Sequence, residues 1–244
     1  MTLRFIIGTF FLTTLTAPMA FGGQAEDFIL KGNAFVQKKD YDEAIKEYGN
    51  ALKADPKNAK AHLLLGLIYA NKGELDKALK FTHYALTLEK SYSAFHNLAL
   101  IYANKGEYQN AADAYESALL ISPKSASDWY QLGLLHAGNN RFDEGITAYK
   151  KVIELNPRID DAYLGLGAAY YWNGDKSLAL EQVKKLRELK FNQKADALLS
   201  WIKNNESKKR EVRTAATAKQ APETKPQPDT QPPAASSDTV TSNK

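Results

Sequence analysis

Histidine, cysteine and clustered carboxylates build most catalytic and metal sites, and this sequence offers few combinations of them. The four histidines are His62, His83, His96 and His136, and no two lie three or four residues apart, as a metal-binding pair on one helix would. The absence of cysteine excludes disulfides, thiolate metal sites, cysteine catalysis and an amino-terminal lipoprotein anchor. No phosphate-binding glycine loop, nucleophile elbow or zinc-protease motif is present. We therefore predict a non-enzymatic protein with no cofactor and no metal.

The distribution of charge also narrows the class of partner. The formal net charge is +4, but residues 26–202 carry 23 basic and 23 acidic side chains, which are interspersed along the chain. Balanced charge of this kind is typical of a solvated helical surface and gives no electrostatic reason to bind nucleic acid. The expected partner is a protein or a peptide, and the oligomeric state is left open.

An internal repeat determines which elements must position any binding residue. The hexamer YANKGE occurs twice, at 69–74 and at 102–107, and extending its register yields five units of about 34 residues. The units are 25–58, 59–91, 92–125, 126–159 and 160–193.

Recurring residue types within the unit predict two antiparallel helices. Small residues at positions 8 and 20 would let the helix backbones approach closely, and an aromatic at position 11 with the residue at position 24 would fill the space around that contact. Glycine or asparagine after the first helix suits a left-handed C-cap, and proline at position 32 ends the second helix. The position-8 residues are Gly32, Gly66, Ala99, Gly133 and Gly167, and the position-32 prolines are Pro56, Pro123 and Pro157.

This pattern resembles the tetratricopeptide repeat (TPR) family, whose unit is a 34-residue helix–turn–helix. The resemblance covers about 170 of the 244 residues. It implies an all-α fold, a right-handed superhelical array (α-solenoid) of five repeats plus a carboxy-terminal capping helix. The fifth repeat departs from the pattern, with Val183 in place of an aromatic and Phe191 in place of proline.

The resemblance also implies a concave groove lined by the first helix of each repeat. Carried onto this sequence, the candidate partner-binding residues are Asn33, Leu63, Leu67, Asn71, His96, Leu100, Asn104, Tyr130, Leu134, Tyr171 and Trp172. Asparagine can hydrogen-bond a ligand backbone, while leucine and aromatic side chains supply apolar area. We expect Tyr130, Tyr171 and Trp172 to form one aromatic wall. An alternative is that Leu67, Leu100 and Leu134 only support neighbouring helices.

The family's carboxylate clamp for chaperone tails is not expected here. Asn33 could match the clamp's amide, but Ile29, Leu64, Ser93 and Asn97 stand where its other residues would be.

Both ends of the chain are predicted to lie outside the array, which occupies 26–204. Residues 1–25 have a basic Arg4, a short apolar run and then small residues, as in a cleaved secretory signal rather than a membrane anchor. Cleavage after Gly22 or after Ala25 fits the small-residue rule, and we expect no stable membrane insertion afterwards. Residues 194–204 are amphipathic and predict the capping helix, whereas 205–244 is poor in large apolar residues and predicts a disordered tail.

Two functions fit these features. The first is a periplasmic or secreted scaffold that binds a peptide or protein in its groove and helps to assemble an envelope machine. The alternative is an accessory or regulatory subunit of an enzyme that acts on cell wall or envelope polysaccharide. A set of several co-purifying structural components would favour the scaffold, whereas a single co-purifying hydrolase or synthase would favour the subunit.

Overall fold

The computed structural model describes the backbone of residues 21–220 and side chains from 23 to 206. This part of the chain is built from helices alone. Their bounds are α1 Phe21–Gln37, α2 Tyr41–Ala54, α3 Ala59–Asn71, α4 Leu75–Leu88, α5 Tyr92–Lys105, α6 Tyr108–Ile121, α7 Ala126–Gly138, α8 Phe142–Leu155, α9 Asp160–Asn173, α10 Lys176–Glu188 and α11 Asn192–Gln220. None of these helices is long and apolar enough to cross a membrane.

The helices pack as five successive pairs that match the five predicted repeats. Each odd-numbered helix from α1 to α9 packs most extensively on the even-numbered helix that follows it, and each pair packs on the next. First helices of neighbouring repeats also contact each other, α3 with α5 and α7 with α9. The predicted all-α repeat array is therefore confirmed. The described part of the chain divides into two units, with the boundary inside α11 after Ser200.

Close backbone approach explains the small residues at position 8. A Cβ atom added to Gly133 would lie 2.8 Å from the ring of Tyr149, and one added to Gly66 would lie 2.4 Å from the hydroxyl of Thr82. Tyr149 and Thr82 each occupy position 24 of the repeat that contains the glycine they contact, and both are almost completely buried. Position 8 therefore packs directly against position 24, which the sequence had predicted to fill the space around a contact between positions 8 and 20.

The turn after each first helix uses the left-handed conformation that the sequence indicated. Position 15 has a positive φ in every repeat, and glycine or asparagine occupies it in four of them: Gly73 (78°), Gly106 (78°), Asn140 (60°) and Gly174 (99°). The first repeat has Lys39 there, at a φ of 60°. A lysine in this region is disfavoured by its Cβ atom, so the turn after α1 carries strain that the sequence pattern did not reveal.

A hydrogen bond between repeats was not foreseen from the sequence. The side chain at position 4 of a first helix donates to the carbonyl of the proline that ends the preceding repeat. Trp129 Nε1 donates to the Pro123 oxygen at 2.9 Å, and Tyr163 Oη donates to the Pro157 oxygen at 3.1 Å. His62 Nε2 makes the same contact with Pro56 at 3.0 Å, which places its proton on Nε2 because the carbonyl only accepts.

The terminal helix is longer than the cap predicted at 194–204. It runs to Gln220, through a segment that the sequence assigned to a disordered tail. Residues 205–220 contain no proline or glycine and are rich in alanine, lysine, arginine and glutamate, which favour helix even without apolar burial. Within the first unit, Ala195 and Leu198 are buried. The predicted tail from 221 lies outside the described residues.

At the amino end, the structure begins inside the predicted signal segment. Helix α1 starts at Phe21, and Ala25 is completely buried in the core cluster of the first repeats. The remainder of the predicted signal, residues 1–20, lies outside the described residues.

Candidate functional site

The candidate groove residues all lie on first helices, whose shared surface we call the odd-helix face. Asn33 is on α1, Leu63, Leu67 and Asn71 are on α3, His96, Leu100 and Asn104 are on α5, Tyr130 and Leu134 are on α7, and Tyr171 and Trp172 are on α9. Because α3 contacts α5 and α7 contacts α9, residues at equivalent positions of these paired first helices lie side by side.

A row of exposed apolar side chains follows the odd-helix face. Leu100 on α5 is 38% exposed, Leu134 on α7 is 44% exposed and Trp172 on α9 is 46% exposed. Leu63 and Leu67 on α3 are only half-exposed, so the row is most accessible in the carboxy-terminal half of the array. Leu100 and Leu134 share repeat position 9, and Trp172 is at position 13. Burial of these exposed apolar side chains by a partner would be favourable.

A depression adjoins this row at Leu134. It has a volume of about 400 Å³ and is lined by Leu134, Gln131 and Gly138 of α7 together with Tyr108, the first residue of α6. Tyr108 is 52% exposed and was missed by the sequence reasoning. Tyr41 and Phe142 occupy the same repeat position, so an aromatic there was a signal that could have been used.

The three candidate amides do not have equal access to a ligand. Asn71 and Asn104 are exposed at the ends of α3 and α5. Asn33 is half-buried, and its side-chain oxygen accepts a hydrogen bond of 2.7 Å from the hydroxyl of Tyr48. Asn33 therefore has a structural role in the first repeat.

The three residues of the expected aromatic wall differ in exposure and in the rings that they contact. Tyr171 is only 2% exposed, whereas its neighbour Trp172 is 46% exposed, and their rings meet edge-on at 5.5 Å. Consecutive helical residues point about 100° apart, so the two side chains can have very different exposure. The ring of Tyr130 packs 5.9 Å from that of Tyr149. Tyr171 thus has almost no surface for direct contact with a ligand, and Trp172 is the accessible aromatic.

His96 is held by a buried carboxylate that the sequence did not single out. Its Nδ1 lies 2.9 Å from Oδ1 of Asp128 on α7, and Asp128 is completely buried. The rings of Tyr92 and Tyr115 lie 5.7 and 5.8 Å from the imidazole. When His96 is neutral, its Nδ1–H donates to Asp128 and Nε2 remains an acceptor. This pair fixes the orientation of the imidazole on the odd-helix face.

Two buried tyrosines have ionisable groups with structural surroundings. Burial raises the pKa of Tyr115 to about 12 and also raises the pKa of Tyr149, both of which fill the contact between paired helices. Within residues 21–220, no group of three His, Cys, Asp or Glu side chains could hold a metal ion. The odd-helix face therefore presents exposed apolar side chains, exposed amides and one oriented imidazole.

Comparison with known proteins identifies relatives that share the repeat. The family described as the cilia and flagella-associated protein 70 C-terminal domain matches residues 14–227. Hsp70-Hsp90 organizing protein 3 of Arabidopsis thaliana is 29% identical over 102 residues, which are 41% of this chain and 18% of that protein. Small glutamine-rich tetratricopeptide repeat-containing protein 2 of Saccharomyces cerevisiae is 29% identical over 97 residues, 39% of this chain and 28% of that protein. The chain thus spans only about a fifth to a quarter of these relatives' length.

Solved structures show the same fold. A crystal structure of MamA protein is 31% identical in sequence and superposes with a TM-score of 0.63, covering 68% of this chain and 92% of that one. YrrB, described as a TPR protein with an unusual peptide-binding site, is 20% identical with a TM-score of 0.63, covering 74% of this chain and 98% of its own. This chain belongs to the tetratricopeptide repeat proteins and, within them, to the family described as the cilia and flagella-associated protein 70 C-terminal domain.

Proposed function

We propose that this protein is a non-catalytic scaffold whose odd-helix face binds a peptide or an exposed segment of another protein. One observation carries the proposal: the row of Leu100, Leu134 and Trp172, which stay exposed on successive first helices. A single exposed leucine needs no explanation, but large apolar residues exposed on three successive first helices offer several anchor points for an extended or helical segment.

The polar groups beside the row suit the same ligand. Asn71 and Asn104 lie at equivalent positions of α3 and α5, and each amide can both donate to and accept from a peptide backbone. YrrB is described as having a peptide-binding site, and the Arabidopsis relative is named as an organizing protein for Hsp70 and Hsp90. These two descriptions support a protein ligand as a class.

The test begins with covalent cross-linking in the source cells and identification of the captured protein by mass spectrometry. Binding of that purified protein is then measured for the double variant Leu100→Ala/Leu134→Ala. Loss of central apolar anchors typically costs ~2 kcal/mol or more, which corresponds to roughly a thirtyfold weaker affinity.

The matched control is Leu178→Ala/Leu180→Ala on α10, where the two leucines are 37% and 39% exposed. It removes a similar apolar area from an even-numbered helix. If the control loses affinity while the first variant binds like wild type, the partner does not use the odd-helix face.

We further propose that the protein acts in the periplasm or outside the cell, as part of an envelope assembly. The signal-like residues 1–25 support this location. Cleavage after Gly22 would keep the buried Ala25 in α1, whereas cleavage after Ala25 would remove it, so a mature chain that begins at Gly23 is expected. Amino-terminal sequencing of the protein from its source cell is the test, and an intact Met1 in the soluble cytosol would refute export.

A further inference from the structure

A second accessible apolar surface shares no residue with the candidate set on the odd-helix face and is a groove lined by α6, α7 and α8. This α6–α8 groove has a volume of about 670 Å³, with Trp129 and Leu132 of α7 between Leu119 and Leu120 of α6 and Ala148 of α8. Leu119 and Leu132 are buried, whereas Leu120 is 87% exposed at the edge of the groove. The groove therefore has an apolar floor, formed by Leu119 and Leu132, and an exposed apolar side chain, Leu120, at its edge.

The groove is wider than the corresponding space in the second repeat, where two positions carry larger residues. In the second repeat, Tyr69 at position 11 stacks on Phe81 at position 23, with ring centroids 5.4 Å apart. In the fourth repeat the corresponding residues are His136 and Ala148, whose smaller side chains line the groove. His136 is 3% exposed, and burial lowers the pKa of its imidazole, so the floor is uncharged near neutral pH.

The charged residues that line the groove are all acidic. They are Glu116 on α6 and Asp143 and Glu144 on α8, with no lysine or arginine among the lining residues. Arg141 lies next to the rim and pairs with Glu144 at 3.0 Å, while Glu116 is 3.6 Å from Nε2 of His136. Asp143 accepts a hydrogen bond of 3.0 Å from Asn173. The rim thus retains an excess of negative charge around an apolar floor.

We propose that the α6–α8 groove docks a segment of a partner protein in which large apolar side chains are flanked by lysine or arginine. The apolar side chains would bury Leu120 and cover Trp129, and the basic residues would face the three carboxylates. This site is separate from the odd-helix face proposed above. The array could therefore hold two partners at once, one on its first helices and one between α6 and α8.

The experiment uses the full chain, labelled with nitrogen-15, and synthetic peptides of three designs. One peptide has leucine and phenylalanine anchors with lysine flanks, a second has the same anchors with glutamate flanks, and a third keeps the lysines but replaces the anchors with alanine. The chain has three tryptophans, and the indole N–H signal of Trp129 is assigned with Trp129→Phe. We expect only the first peptide to shift the Trp129 signal in a saturable way.

Charge reversal at the rim tests the recognition directly. The variant Glu116→Lys/Glu144→Lys should bind the lysine-flanked peptide about tenfold more weakly, which is about 1.4 kcal/mol, and should now bind the glutamate-flanked peptide. Leu120→Asp should also weaken binding, whereas Leu30→Asp, at a leucine that is 58% exposed on α1, should not.

Three outcomes would overturn the proposal. The first is equal binding of the lysine-flanked and glutamate-flanked peptides, and the second is a shift of the Trp172 signal with none at Trp129. The third is a concentration-dependent dimer that Leu120→Asp abolishes while no peptide binds, which would assign the groove to a second copy of the chain. The variant Leu100→Ala/Leu134→Ala should keep peptide binding at the α6–α8 groove, so failure of the two proposals can be told apart.

Discussion

At the scale of single residues, position 15 shows how one backbone conformation selects its side chain. Four repeats place glycine or asparagine in the left-handed region, but the first repeat has Lys39 there at a φ of 60°. A non-glycine residue in the left-handed region costs roughly 1–2 kcal/mol. Glycine avoids this strain but loses more backbone entropy on folding, so its net advantage is smaller. The turn after α1 is therefore a site where the native sequence is not the most stable choice.

We predict that Lys39→Gly stabilises the array. The expected gain is about 1 kcal/mol, which for a chain of this size raises Tm by about 2–4 °C in a thermal melt followed by circular dichroism. Gly106→Ala, at the same position of the third repeat with a φ of 78°, should lower Tm by a similar amount. A Lys39→Gly protein that melts below wild type would show that the lysine side chain stabilises the turn by contacts that outweigh its backbone strain.

His136 predicts a pH dependence of stability. Burial, followed by the charge of Arg141, lowers the pKa of this imidazole in the folded state, and the nearby acidic Glu116, Glu144 and Asp113 oppose the shift. Because the unfolded chain then binds a proton more readily, stability is fully present above the ordinary histidine pKa and falls as pH decreases below it. The uptake of one such proton on unfolding lowers the free energy of unfolding by at most about 1.4 kcal/mol for each pH unit of acidification.

The measurement is the free energy of unfolding in urea between about pH 7 and about pH 5. His136→Tyr, which places at position 11 the residue found in three other repeats, should show a shallower loss of stability than wild type. His83→Gln, at an exposed site on α4, serves as the control for removal of a histidine. Identical slopes for wild type and His136→Tyr would contradict the prediction.

At the scale of elements, the join between repeats depends on the side chain at position 4. Tyr163, Trp129 and His62 each donate to the carbonyl of a proline six residues earlier, which ties the start of a first helix to the end of the preceding repeat. The third repeat has Phe95 at this position, following Lys90 in place of proline. The third repeat therefore lacks both the donor and the proline, so these two residue types occur together or not at all at the joins between repeats.

We predict that Tyr163→Phe destabilises the array by about 1 kcal/mol, the usual net contribution of one hydrogen bond, with no change in ring packing. Chemical denaturation of the purified variant measures the change. Tyr108→Phe removes a hydroxyl from an exposed ring on α6 and should leave stability within experimental error of wild type. An equal effect of the two variants would indicate that the Pro157 contact contributes nothing specific.

At the scale of the whole molecule, stability in a repeat array comes from contacts between neighbours, so the last repeat depends on the element that follows it. Leu198 of α11 is 3% exposed, and a Cβ atom added to Gly167 of α9 would lie 2.6 Å from its Cδ2. Asp196 also pairs with Arg187 of α10 at 3.0 Å. The first turns of α11 therefore cover the fifth repeat.

We predict that deletion of 192–244 destabilises the protein by about 3 kcal/mol or more, because the burial of Leu198 and Ala195 is lost. The truncated protein should bind a hydrophobic dye and exchange the amide protons of α9 and α10 faster. Deletion of 221–244 alone should leave the melting curve unchanged. If both truncated proteins melt like the full chain, α11 does not act as a cap.

Short-range patterns in the sequence were sufficient for the array and its internal contacts. The five helix pairs, the close contact of Gly133 with Tyr149 and the left-handed turn at Gly106 each depend on residues within one repeat. The spacing of small, aromatic and turn residues therefore encodes them directly. The strain at Lys39 was not apparent from the sequence, because lysine does not favour a positive φ and so does not mark a left-handed turn.

Only the tertiary structure decided which candidate residues are accessible and which surfaces are open. The inward turn of Tyr171, the pairing of His96 with Asp128 and the α6–α8 groove around Leu120 each depend on side chains that meet across helices or repeats. A repeat period places residues at equivalent positions, but it does not state whether a neighbour covers them. Whether a residue is covered depends on the sizes of side chains about 30 positions away in sequence, and a pattern within one repeat does not contain this information.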